Sequence, residues 1–127
     1  MIAGLDGLRF QHWHAEAGND GVVVLSLDRA GESVNALAQA VLLELDAILE
    51  RLALDPPKGL VIRSAKDSGF IAGADIREFE GFDTEPKIKE VVKQTLELFG
   101  RIHRLTVPVV AAIHGYCLGG GLELALA

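Results

Sequence analysis

Apolar positions along the chain alternate between two spacings, and each change of spacing marks an element. Residues 8–17 set Arg9, Gln11 and Glu16 among apolar and aromatic neighbours and predict a strand. Gly18-Asn19-Asp20-Gly21 is a strong turn signal, and the apolar run from Val22 to Leu27 completes a predicted hairpin. Asp28 to Ser33 is a polar loop. From 36 to 54, Leu37, Val41, Leu42, Leu45, Ile48, Leu49 and Leu52 recur at helical spacing, until Asp55-Pro56-Pro57 ends the helix. Leu60-Val61-Ile62 predicts a short strand buried on both faces. Residues 64–73 read as a loop and 75–79 as a helical turn. A second long helix is expected over 85–105, with Ile88, Val91, Val92, Leu96, Phe99 and Ile102 on one side. Thr106-Val107-Pro108 breaks it, 109–113 predicts a buried strand, and Gly119 opens a last helix.

Strands alternating with helices imply a layered α/β fold. Half of the 127 residues are hydrophobic and few are aromatic, which points to an aliphatic interior. The formal charge of −6 argues against a nucleic-acid backbone binder but leaves room for a local basic patch. A single cysteine, Cys117, excludes an internal disulfide framework and fits a reducing cytoplasm. Residues 1–10 lack a basic stretch followed by an apolar one, and no apolar run approaches the roughly 20 residues of a membrane span. A soluble, cytoplasmic protein is therefore expected. The chain stops within an uncapped helical pattern at 122–127, which reads as part of a longer protein.

Two glycine-containing loops each follow a predicted strand: Ile71-Ala72-Gly73-Ala74-Asp75, and Tyr116 through Gly121. Singly, each reads as a tight turn that lets backbone segments approach, and neither has the spacing of a P-loop or a dinucleotide fingerprint. Together they offer backbone N–H donors from two directions, the usual construction of an oxyanion hole. Glu123 follows directly on the second loop. Its carboxylate suits the macrodipole of a helix start. It equally suits proton transfer, if partial burial among Leu122 to Ala127 raises its pKa. Both readings stand at this point. His12 and His14 flank Trp13 at a spacing of two and are expected to share a strand face; they are too few for a zinc site, and no metal is expected. His114 is assigned to packing or a backbone hydrogen bond, Cys117 to a small buried hydrophobe, and Asp75 to capping the short helix after its loop.

The segment Phe70-Ile71-Ala72-Gly73-Ala74-Asp75-Ile76, with His114-Gly115-Tyr116-Cys117-Leu118-Gly119-Gly120-Gly121-Leu122-Glu123, resembles the enoyl-CoA hydratase/isomerase (crotonase) superfamily. The likeness extends over nearly the whole chain, including Ser33-Val34-Asn35-Ala36-Leu37. Gly4-Leu5-Asp6-Gly7-Leu8-Arg9-Phe10 and Asp55-Pro56-Pro57-Lys58-Gly59 look most like a bacterial multifunctional fatty-acid oxidation α-subunit, in which a hydratase domain precedes an NAD-dependent dehydrogenase. The resemblance implies a ClpP/crotonase spiral of ββα units, with 1–127 as the N-terminal portion of that domain. It also implies hydration of 2-enoyl-CoA to 3-hydroxyacyl-CoA, with enoyl-CoA isomerisation as a companion activity. By the same likeness the N–H groups of Ala74 and Gly120 form the oxyanion hole, and Glu123 is the first catalytic glutamate. Ser33, Ala36, Ala72, Gly73, Asp75 and Ile76 match segments that contact CoA. Lys66, Lys87, Lys89 and Lys93 are expected to be solvated, Lys66 being the lysine to test against the CoA phosphates. Acyl-CoA is then the substrate and no cofactor is implied, NAD serving only the dehydrogenase domain that the chain lacks. A homo-oligomer is implied, and for the longer protein a thiolase β-subunit as partner; nucleic acid and membrane insertion are not. The second glutamate of family hydratases lies about one helix and strand past the first, beyond Ala127. Two alternatives follow: a non-catalytic folded fragment that self-associates, or a relative with hydrolase or decarboxylase chemistry.

Overall fold

The turn at Gly18 to Gly21 closes the predicted hairpin: Gly21 N–H donates to Gly18 O at 3.1 Å and Gly18 N–H to Val22 O at 3.0 Å. The computed structural model describes residues 9–80 and 85–127, so the opening Gly4 to Leu8 lies outside the described residues. Strand β1 (Trp13–Ala17) pairs antiparallel with β2 (Val22–Leu27). It is shorter than the predicted 8–17 because the chain before it is captured elsewhere. The N–H groups of Gln11, His12 and Trp13 donate to the Glu44 carboxylate at 3.0, 2.9 and 3.3 Å. Trp13, 1% exposed, adds a bond from Nε1 to Val41 O at 3.0 Å.

Helix α1 (Gln39–Leu54) buries Val41, Leu45, Ile48, Leu49 and Leu52, the stripe read from the sequence. It starts later than predicted because Leu37 is drawn into a parallel bridge with Ala74. Strand β3 (Gly59–Ser64) lies parallel to β2, and β5 (Val109–Ala112) parallel to β3, in the order β1-β2-β3-β5. Alternation along the strands sends Val23, Leu25, Leu27, Leu60 and Ile62 into one core with α1 and with Leu98, Phe99 and Ile102 of α3 (Glu85–His103). Arg101 of α3 pairs with Asp46 of α1. The opposite sheet face carries His14, Glu16, Arg63 and Val110, all exposed. Burial of β3 on both faces and of β5 is thus corrected: one face packs against helices, and Val110 is 56% exposed on a strand flanked, among the described residues, by β3 alone.

The predicted loop 64–73 contains a strand, β4 (Gly69–Ile71), wholly buried and parallel to β6 (Tyr116–Cys117) in a second small sheet. A short helix α2 (Ile76–Phe79) follows β4, and α4 (Gly120–Leu126) follows β6. Among the described residues no helix is long and apolar enough to cross a membrane.

Candidate active site

The two glycine loops meet. Segment 35–37 runs alongside 72–75: Ala72 N–H donates to Asn35 O at 2.9 Å, Leu37 N–H to Gly73 O at 2.7 Å and Asp75 N–H to Leu37 O at 3.5 Å. These bonds use the groups on either side of Ala74 and leave its N–H facing away from the ladder. Gly73 has φ +128°, a conformation closed to other residues without strain, so the turn into Ala74 depends on glycine. Gly120 is the first residue of α4, where a helix leaves its N–H groups without intrahelical partners. Among the described residues neither the Ala74 nor the Gly120 N–H donates to a protein acceptor. The two amides are neighbours: a Cβ placed on Gly120 would lie 3.9 Å from Ala74 N, and one on Gly73 would lie 4.0 Å from Gly120 N. Close seating of α4 on β4 sets this distance, since a Cβ on Gly121 would stand 2.6 Å from Ile71 O.

Leu37, Ala74, Thr95, Phe99, Gly120 and Glu123 line one cavity of about 170 Å³. Both expected hole residues and the expected proton carrier therefore share a wall. Glu123 is exposed rather than partly buried, because α4 turns an uncovered face outward at Leu122 and Leu126. Ser33, Ala36, Ala72, Gly73, Asp75 and Ile76 lie outside the cavity wall, on or next to the two segments that hold Ala74. Ile76 is 76% exposed, Ser33 and Ala72 are exposed, Ala36 is half-buried, and Gly73 is buried.

Asp75 caps α2 as its position predicts, accepting Arg77 N–H at 3.1 Å. Its carboxylate also meets Arg77 Nε at 3.1 Å and Arg29 Nη2 at 2.7 Å, while Arg77 reaches Glu32 at 2.8 Å. Hydrogen bonds from Arg77 and then Arg29 hold the carboxyl well below the usual carboxylate range. Lys66 is not solvated: its Nζ is 2.6 Å from Asp28 and 2.8 Å from Arg29 O, and its side chain is 12% exposed. The loop after β3 folds back on the loop after β2, and the adjacent Asp28 and Arg29, distant from Lys66 in sequence, supply the partners. His114 makes the expected backbone contact, Nε2 to Lys66 O at 2.7 Å. Cys117 is half-buried against the core. His12 and His14 do not share a face: His12 lies before β1, buried, with Nδ1 accepting Ala30 N–H at 3.0 Å, and His14 is exposed. No group of three His, Cys, Asp or Glu side chains among the described residues is placed to hold a metal ion.

Sequence reasoning missed Asn35. It is 0% exposed, and its side-chain amide donates toward Leu27 O, Ser64 Oγ and Phe70 O at 3.0, 2.9 and 3.1 Å. The one signal was an amide side chain set between small and apolar residues at the mouth of a helix.

Residues 17–127 match the model of the enoyl-CoA hydratase/isomerase family. The fatty acid oxidation complex subunit alpha of Idiomarina loihiensis is 44% identical over 113 residues, which cover 88% of this chain and 16% of that protein. The corresponding subunit of Shewanella amazonensis is 44% identical over 110 residues, covering 86% of this chain and 16% of its own length. The crystal structure of an enoyl-CoA hydratase from Bacillus anthracis superposes with a TM-score of 0.83 at 32% identity, over 91% of this chain and 45% of that one. The chain thus spans a small share of the curated relatives and under half of that hydratase, with the same crotonase fold over the shared part. By sequence and by fold, this chain belongs to the enoyl-CoA hydratase/isomerase family.

Proposed function

We propose that this chain supplies the oxyanion hole and the first proton-carrying carboxylate of an enoyl-CoA hydratase, as the N-terminal portion of a crotonase-fold domain. The observation that carries the proposal is the placing of Ala74, Gly120 and Glu123 on one cavity wall. A thioester oxygen between the two N–H groups accepts both bonds, and the polarised double bond becomes electrophilic at its β-carbon. Water adds there. The enolate oxygen is held by donors already fixed in position, each worth roughly 2.7–4 kcal/mol in such sites, and a proton delivered to the α-carbon completes the 3-hydroxyacyl-CoA. Glu123 stands on the first turn of α4 to carry that proton.

Isomerisation is the second reading, favoured because Glu123 is the one carboxylate lining the cavity among the described residues. One base suffices for it: the carboxylate takes an α-proton from a 3-enoyl-CoA, and returns it to the γ-carbon of the resulting dienolate. The reading carries further proposals: an acyl-CoA substrate with no separate cofactor, a cytoplasmic setting, self-association, and a thiolase β-subunit as partner in a longer α-subunit-like protein.

Loss of the 2-enoyl thioester absorbance of crotonyl-CoA tests the hydratase reading. Turnover by this chain is expected to fall by about 10²–10⁴-fold in Glu123→Gln. No turnover above that variant, in a sample with a cooperative unfolding transition, sinks the reading for this chain and leaves the non-catalytic alternative.

A further inference from the structure

We infer that Asn35 is the positioning residue of the oxyanion-hole loop, fixing the direction of the Ala74 N–H through the backbone of 35–37. The inference rests on Ala74 and Gly120 being the two donors. Asn35 lies in the irregular stretch between β2 and α1, fully buried. Beyond its short pairing with 72–75, backbone in such a stretch lacks a regular ladder, so its shape depends also on side-chain partners. Asn35 supplies them through an amide whose two N–H groups are shared among three acceptors: Leu27 O ends β2, Ser64 Oγ ends β3, and Phe70 O belongs to β4. Its Oδ1 accepts Arg29 N–H at 3.0 Å. One side chain therefore ties together the ends of two strands of the main sheet and a strand of the small sheet.

The backbone passes this position on. Asn35 O takes the Ala72 N–H, and Leu37 brackets Ala74 with bonds to Gly73 O and from Asp75 N–H. Arg29, held by Asn35 through its N–H, holds Asp75 at the far end of the same loop through its guanidinium at 2.7 Å. Ala74 is thus fixed from both sides, and both routes run through Asn35. A packing role alone would not call for an amide: an apolar side chain of similar size would fill the space but take the amide's bonds from Phe70 O and the Arg29 N–H, while Leu27 O would keep the Ala65 N–H. Hole donors act only when fixed before charge develops, and a misplacement of about 1 Å can cost about 10²-fold in rate.

Isotope-edited infrared spectroscopy of butyryl-CoA, ¹³C-labelled at the thioester carbonyl and bound to this chain, reads the hole without turnover. Two hydrogen bonds lower the carbonyl stretch relative to free ligand. In Asn35→Ala more than half of that shift is expected to be lost, with the dissociation constant within about threefold of the parent. Where Asn35→Ala has no cooperative unfolding transition, Ser64→Ala removes one of the three acceptors instead, and a partial loss of the shift is expected. An unchanged bound frequency in the folded variant overturns the inference. So does a loss of shift and of affinity together, which marks a merely structural residue. No shift in the parent chain overturns the hole assignment itself, a result that needs no variant and is therefore distinguishable.

Discussion

Asp75 keeps its charge through contacts that differ in exposure. Arg77 contributes most to lowering its pKa, yet that side chain is 62% exposed and screened by water, whereas Arg29 is 13% exposed. For stability the Arg29 contact is therefore the weightier. A carboxyl whose folded pKa is depressed contributes stability that is complete above its unfolded value, about 3.9, and is lost as pH falls from there toward the folded value. Asp75→Asn is expected to lower the unfolding free energy by roughly 1–3 kcal/mol at neutral pH. The gap between parent and variant should close from about pH 4 downward. Denaturant titrations at neutral and acid pH check this; a gap that stays constant would assign the effect to the helix cap rather than to charge. At this scale the site was legible where a motif places residues by backbone alone. Ala74, Gly120 and Glu123 stood out because glycines and a helix start dictate where main-chain donors lie. Lys66 and Asn35 were not legible, since their partners come from Asp28, Ser64 and Phe70, which no local spacing brings near.

The seating of α4 on β4 is the element-level contact on which the site depends. Gly121→Ala puts a methyl against the Ile71 carbonyl, a backbone atom that cannot swing aside. Such overpacking is expected to cost about 1–3 kcal/mol, measured by thermal unfolding. It also lifts Gly120 from Ala74, so crotonyl-CoA turnover per folded molecule should fall as well. Unchanged turnover in the folded fraction would separate helix seating from hole geometry. Hairpin and helices were readable because their apolar repeats are long. Strands β4 and β6 escaped because Gly69–Ile71 and Tyr116–Cys117 are too short to show an alternation. The start of α1 shifted because tertiary pairing of Leu37 overrode its helical spacing.

Across the molecule, five exposed apolar residues, Val110, Ile113, Leu118, Leu122 and Leu126, fall on β5, the segment after it and α4, and others lie on α1, α2 and α3. A strand edge unpaired among the described residues, beside such a surface, invites association. Light scattering is expected to show mass rising with concentration, and Val110→Lys is expected to reduce that rise; a monodisperse monomer at high concentration would count against it. The meeting of Ala74 with Gly120 also has a consequence for synthesis, since all of α3 and β5 lie between them in the chain. At about 5–20 residues per second on the ribosome, several seconds separate the emergence of the two donors. During that interval β4 exists without β6 or α4, and Phe70 and Ile71, fully buried in the finished fold, lack their cover. The cavity lined by Ala74 and Gly120 and the shielding of this sticky segment are completed by the same late event, so a nascent chain paused before Leu118 lacks both and is a natural client for a chaperone.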